Sequence, residues 1–132
     1  MPRLSGFLGL CLLTAWLVTQ SVAQEKSVNP GINATFEDPD VEAFAERFEV
    51  ESREVFARRH AIVAACQLQP GQVVADIGAG TGLFTRLFSA AVGKEGRVIA
   101  VDISQKFLDL IQARSREQNQ SNGETVLAAA DS

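Results

Sequence analysis

The stretch Val73 to Gly82, VVADIGAGTG, restricts what this chain can fold into more than any other. Gln72 to Ile77 (QVVADI) is a short apolar run rich in β-branched residues and reads as a strand. Three glycines at alternate positions, Gly78, Gly80 and Gly82, come directly after it. Thr81 to Ala91 then reads as a helix, with Leu83, Phe84, Leu87 and Phe88 expected inward. Glycine in such a strand-to-helix turn permits positive φ and lets a ligand approach the backbone with no Cβ in the way. The helix start offers unpaired N–H groups and a partial positive charge to an anion. A dinucleotide pyrophosphate and the carboxylate of an amino acid would be served equally well.

The alternation repeats downstream. Arg97 to Ile103 (RVIAVDI) reads as a second strand, and Ser104 to Gln118 as an amphipathic helix with Ile103, Phe107, Leu110 and Ile111 on its apolar side. Glu124 to Ala129 (ETVLAA) reads as a third strand. Strands alternating with helices argue for βαβαβ, an α/β chain with a parallel sheet. The first two strands lack polar alternation, which predicts cover on both faces. Upstream, one or two helices are expected. The first starts at Asp38-Pro39, with Asp38 as N-cap, and carries Val41, Phe44, Ala45 and Phe48 on one stripe. A second, or a continuation, carries Val55, Phe56, Ile62, Val63 and Cys66 and ends at Pro70-Gly71. The acids between Glu37 and Glu54 are read as a solvated face.

The chain has 132 residues, a formal net charge of −4 and 46% hydrophobic residues, which fits a soluble globular domain and gives no electrostatic reason to expect nucleic acid. Met1-Pro2-Arg3 followed by the apolar run Leu4 to Val18 and by Ser21 and Ala23 reads as an export signal cleaved before Gln24. The run is shorter than the ~20 residues of a spanning helix, though an uncleaved membrane anchor is the alternative. Residues 24–37 read as a linker. The expected location is therefore periplasmic or secreted, with no membrane span once the signal is gone. Of the two cysteines, Cys11 falls in the signal, and Cys66 is expected to be a small core residue.

The spacing of the turn separates its two candidate ligands. In the dinucleotide fingerprint G-x-G-x-x-G the third glycine would fall at Leu83, so the fingerprint fails. The sequence has D-x-G-x-G-x-G instead. Asp76 would repel a pyrophosphate but favour a ligand bearing an ammonium or sulfonium cation. Asp102 ends the second strand about twenty residues beyond the turn, where an acid can accept from ribose hydroxyls. Asp131 falls just past the third strand, so all three acids belong to the carboxyl edge of the sheet, where open α/β sheets bind ligands. Plainer readings stand beside these: a merely structural turn, Asp102 capping the Ser104 helix, and Asp131 an ordinary exposed acid. His60 is read as a helix surface or packing residue, and the sequons at Asn33 and Asn119 as chance matches. No metal site is expected.

VVADIGAGTG followed by GRVIAVDIS and LAAAD resembles the class I S-adenosylmethionine-dependent methyltransferases, in the broad group acting on small molecules and quinones. The resemblance covers roughly Ala61 to Asp131. It implies a Rossmann-like doubly wound parallel sheet, of which only the first βαβαβ half is present, and S-adenosyl-L-methionine as cofactor. It makes Gly78, Ala79, Gly80 and Gly82 the wall beside the methionyl part and sets Asp76 against the methionine ammonium. It gives Asp102 the ribose hydroxyls, Ile103 the adenine face and Asp131 the adenine amino group. The implied reaction is methyl transfer to a small-molecule acceptor, with no catalytic residue assignable. Residues 38–132 would be the N-terminal, cofactor-binding part of the domain, and the uncovered first strand an aggregation site. A non-catalytic S-adenosylmethionine-binding module and a nicotinamide-binding oxidoreductase are the other readings, the latter opposed by Leu83 and Asp76.

Overall fold

Two βαβ units run through the centre of the molecule. The computed structural model describes residue 29 and residues 31–129; the expected export signal, residues 1–23, and Asp131 lie outside the described residues. Four short helices come first: α1 (Ala34–Glu37), α2 (Val41–Phe48), α3 (Glu54–Ala57) and α4 (Arg59–Ala65). Then β1 (Val73–Ile77), α5 (Leu83–Val92), β2 (Arg97–Asp102), α6 (Gln105–Glu117) and β3 (Gly123–Leu127) alternate as expected. The strands form one parallel sheet in the order β1-β2-β3, with Asp76 opposite Ala100 and Asp102 opposite Leu127. This is the α/β, Rossmann-like arrangement.

Parallel register puts Val74, Asp76, Val98, Ala100, Asp102 and Thr125 on one face. Both crossover helices cover that face: the Thr85 hydroxyl of α5 reaches Asp76, and Gln112 of α6 donates to the Thr125 hydroxyl. Val98 and Ala100 are fully buried there, and Ala79, Ala100, Leu108 and Ile111 form the centre of the core. The expectation of cover on both faces fails among the described residues. Val73, Ala75, Ile77, Ile99, Val101 and Val126 occupy the opposite face, where Val73 and Ile77 are 60% and 74% exposed.

Several local expectations need correction. Asp40, not Asp38, is the N-cap of α2: its Oδ1 accepts the Ala43 N–H at 3.0 Å, while Asp38 ends α1. The α1 turn forms within the expected linker. In α5 the buried stripe is Thr85, Ser89 and Val92, and Leu83, Phe84, Leu87 and Phe88 are only half-buried. Small and hydroxyl-bearing side chains let that helix lie close on the sheet, where Thr85 meets Asp76 and Ser89 bonds Asn122. Cys66 is exposed at the C-cap of α4 rather than in the core. The α2 stripe of Val41, Phe44, Ala45 and Phe48 does face inward, each half-buried.

Candidate functional site

Gly78, Gly80 and Gly82 all have positive φ (72°, 52° and 74°), which turns the chain sharply from β1 into α5. The turn is pinned to β2: the N–H groups of Gly78 and Ala79 both donate to the Val101 carbonyl, at 2.8 and 3.1 Å. The Gly80 N–H donates to Asp102 Oδ2 at 2.8 Å, and the Ser104 N–H to Asp102 Oδ1 at 2.9 Å. Asp102 is thus buried and ties the turn to the start of α6. Ser104, not Asp102, is the N-cap of α6, so Asp102 braces the residue that starts the helix without capping its first turn.

Asp76 is half-buried, and its Oδ2 accepts from the Thr85 hydroxyl at 2.6 Å. Burial lifts its carboxyl above the ordinary value of 3.8. The Thr85 hydroxyl and backbone N–H work against that rise, and the negative charge of Asp102 adds to it.

These groups border a cavity of about 610 Å³ at the carboxyl ends of β1 and β2. Asp76, Gly78, Ala79, Gly80, Asp102 and Ile103 all line it, together with Thr81, Leu83, Phe84 and Phe107. Gly82 stands apart from the expected wall. It is buried against α6, where a Cβ would come within 2.5 Å of Ile111 Cγ1. His60 is exposed on α4.

Two features of the site leave little trace in the sequence. Phe36, Phe44 and Phe48 of α1 and α2 roof the cavity, with Phe44 edge-on to Phe107 of α6 at 5.4 Å between ring centres. Beyond the roof, Glu49 joins Arg86 at 2.9 Å and Arg114 at 2.7 Å, and both guanidinium groups also donate to the Thr81 carbonyl of the turn. Burial alone would raise the Glu49 carboxyl. The Thr81 hydroxyl and the two arginines outweigh it and hold the group below its ordinary 4.5. The even spacing of Phe44 and Phe48 is visible in the sequence, but nothing there pairs Glu49 with positions 37 and 65 residues away.

Residues 74–132 match the model of a family described as a methyltransferase domain. The ubiquinone/menaquinone biosynthesis C-methyltransferase of Hydrogenovibrio crunogenus is 43% identical over 51 residues, 39% of this chain and 20% of that protein. Its namesake in Shewanella frigidimarina is 34% identical over 74 residues, 56% of this chain and 29% of that one. A crystal structure of a SAM-dependent methyltransferase from Aquifex aeolicus shares the fold, with a TM-score of 0.57 at 21% identity over 69% of this chain and 48% of that one. Residues 74–132 are thus part of a methyltransferase domain, on a fold shared with S-adenosylmethionine-dependent methyltransferases. A second methyltransferase structure, coclaurine N-methyltransferase bound to N-methylheliamine and SAH, has a TM-score of 0.53 at 30% identity, covering 64% of this chain and 26% of that one. The chain spans about a fifth of the length of the first curated methyltransferase that it matches. The cofactor that goes with this methyltransferase family is S-adenosylmethionine.

Proposed function

We propose that the chain binds S-adenosylmethionine in the cavity at the carboxyl edge of β1 and β2, and serves the transfer of its methyl group to a small-molecule acceptor. The observation that carries this reading is the convergence of Asp76, the positive-φ turn and Asp102 on one cavity. Its volume of about 610 Å³ is within the roughly 300–1,000 Å³ usual for small-molecule sites.

The donor and acceptor chemistry fits the cofactor. Asp76, anchored by Thr85, is set to accept from the ammonium. The Asp102 oxygens each take one backbone N–H, which leaves each a further lone pair for the ribose hydroxyls. Without a Cβ, Gly78 and Gly80 let the methionyl part approach the backbone. Ile103 and Phe107 offer apolar surface to the adenine. Asp131 is proposed to accept from the adenine amino group. When bound, S-adenosylmethionine supplies a methyl group on a sulfonium, an electrophile that needs no further activation. The chain's own residues then orient the reactants and exclude water, work for which the phenylalanine roof is suited. The mainly apolar lining and the quinone-pathway relatives favour an uncharged, ring-bearing acceptor.

Residues 38–132 are proposed as the cofactor-binding part of the domain, and residues 1–23 as an export signal. Amino-terminal sequencing of the mature protein tests the second point: a start at Gln24 supports export, and a start at Met1 or Pro2 opposes cleavage. Titration calorimetry with S-adenosylmethionine tests the function. Saturable binding that weakens at least tenfold in Asp102→Ala is expected, whereas binding of NADH in its place sinks the reading.

A further inference from the structure

A buried hydroxyl in the first turn of α5 enters the proposed site only as a neighbour of Asp76. Thr85 is 2% exposed and spends its hydroxyl on a single acceptor, Asp76 Oδ2, at 2.6 Å. A β-branched, polar residue is not favoured inside a helix. This one lies on the stripe that touches the sheet, where an apolar side chain would pack as well. Its contact is a charge-assisted hydrogen bond, short enough to fix the carboxylate's orientation. From the surrounding elements, β2 presents the Asp102 carboxylate, α5 presents Thr85, and α1 and α2 face the cavity with Phe36, Phe44 and Phe48. Among the charged groups facing Asp76, then, the described residues give Asp102, a like charge that opposes its ionisation.

We propose that Thr85 is a positioning residue for the ligand's cationic end: its hydroxyl holds the Asp76 carboxylate in one orientation and in its charged form. The inference rests on the proposed cofactor reading and adds a residue and a pH dependence to it. A carboxylate that is half-buried beside another acid takes up a proton more readily than an exposed one. Protonated, it no longer attracts an ammonium. The Thr85 hydroxyl favours the charged form, so removing it moves the loss of ligand affinity to higher pH. It also leaves Thr85 holding the carboxylate through its backbone N–H alone, a looser hold that weakens binding even where the group is ionised.

The test uses the full chain and two probes. S-adenosylhomocysteine carries the amino-acid end, and 5′-methylthioadenosine has the same adenosine but lacks that end. Dissociation constants are measured between pH 5 and 8 for the unaltered chain, Thr85→Val, Thr85→Ser and Asp76→Asn. Thr85→Val is expected to weaken S-adenosylhomocysteine about tenfold and to shift its pH profile upward, leaving 5′-methylthioadenosine within twofold. Thr85→Ser, which keeps the hydroxyl, is expected to restore most of the affinity, and Asp76→Asn to flatten the profile. Equal weakening of both probes by Thr85→Val makes Thr85 a packing residue and overturns the inference. So does an unchanged affinity and profile in Thr85→Val while Asp76→Asn weakens S-adenosylhomocysteine, a result that leaves the cofactor reading standing. Failure of the unaltered chain to bind either probe overturns the cofactor reading and the inference together.

Discussion

Gly82 and Gly78 share a positive φ and differ in what surrounds them, so they separate backbone strain from crowding. A Cβ at Gly78 would meet nothing within 4 Å, whereas one at Gly82 would drive into Ile111 at 2.5 Å. Gly78→Ala is therefore expected to lose only the left-handed strain, about 1 kcal/mol. Gly82→Ala adds overpacking of the α5–α6 contact and should lose roughly 3 kcal/mol in all. Urea unfolding of the two variants checks the ranking; equal losses would mean that Ile111 yields freely. Asp76 works against the fold. Because folding raises its carboxyl above 3.8, its contribution to stability is fully present below that value and is lost as pH rises through the folded one. Asp76→Asn is expected to raise Tm at pH 7 and to lose that advantage as the pH approaches 3. A lower Tm at pH 7 would contradict burial as the dominant influence on this group.

Between elements, the Glu49 cluster does what the sheet cannot: it fastens the end of α2 to α5, α6 and the glycine turn at once. The Glu49 and Arg86 side chains are 16% and 13% exposed, so removing the carboxylate leaves two guanidinium groups poorly compensated. Glu49→Gln should lower stability at pH 7 by about 2 kcal/mol, less than the ~3–5 kcal/mol of a fully buried pair. The Glu49 carboxyl is held below 4.5, so its contribution is present above that value and disappears as pH falls through the folded one. The gap between the variant and the unaltered chain should therefore close in acid, which denaturation at pH 7 and pH 3 would show. The βαβαβ order, the turn and the placing of Asp76 and Asp102 towards the carboxyl ends of β1 and β2 are legible in the sequence because period and spacing encode them locally. The inward face of α5 is not. Hydrophobicity pointed to Leu83, Phe84, Leu87 and Phe88, but close approach to the sheet and hydrogen bonds from Thr85 and Ser89 decided the orientation. The N-cap of α2 was misplaced by two residues because Asp38-Pro39-Asp40 offers two capping acids, and only geometry chooses between them. Contacts made across long sequence separations, Glu49 with Arg114 above all, leave no periodic trace.

At the scale of the whole molecule, the two faces of the sheet are unequal among the described residues. One is covered by α5 and α6 except at the exposed Leu127; the other presents Val73, Ala75, Ile77, Ile99, Val101 and Val126, and β1 stands at the edge of the sheet. Charge on that face is confined to one end, where Arg97 meets Glu124 at 3.3 Å. An apolar face beside an open edge favours association with another copy, both by removing apolar area from water and by edge pairing. The chain on its own is therefore expected to self-associate with rising concentration, more strongly in sulfate, which promotes apolar burial. Val73→Lys together with Val126→Lys places charge at two exposed positions of that face, neither of them lining the cavity. The pair should reduce light scattering severalfold at matched concentration and leave the affinity for S-adenosylhomocysteine within twofold. Persistent association in this variant would shift the cause from the sheet face to the β1 edge or to Ile77, which is 74% exposed and borders both the face and the cavity. Its replacement by threonine, scored for scattering and ligand affinity together, separates those two contributions. Loss of scattering with ligand affinity retained assigns the association to the face; loss of affinity shows that the cavity wall depends on Ile77 as well.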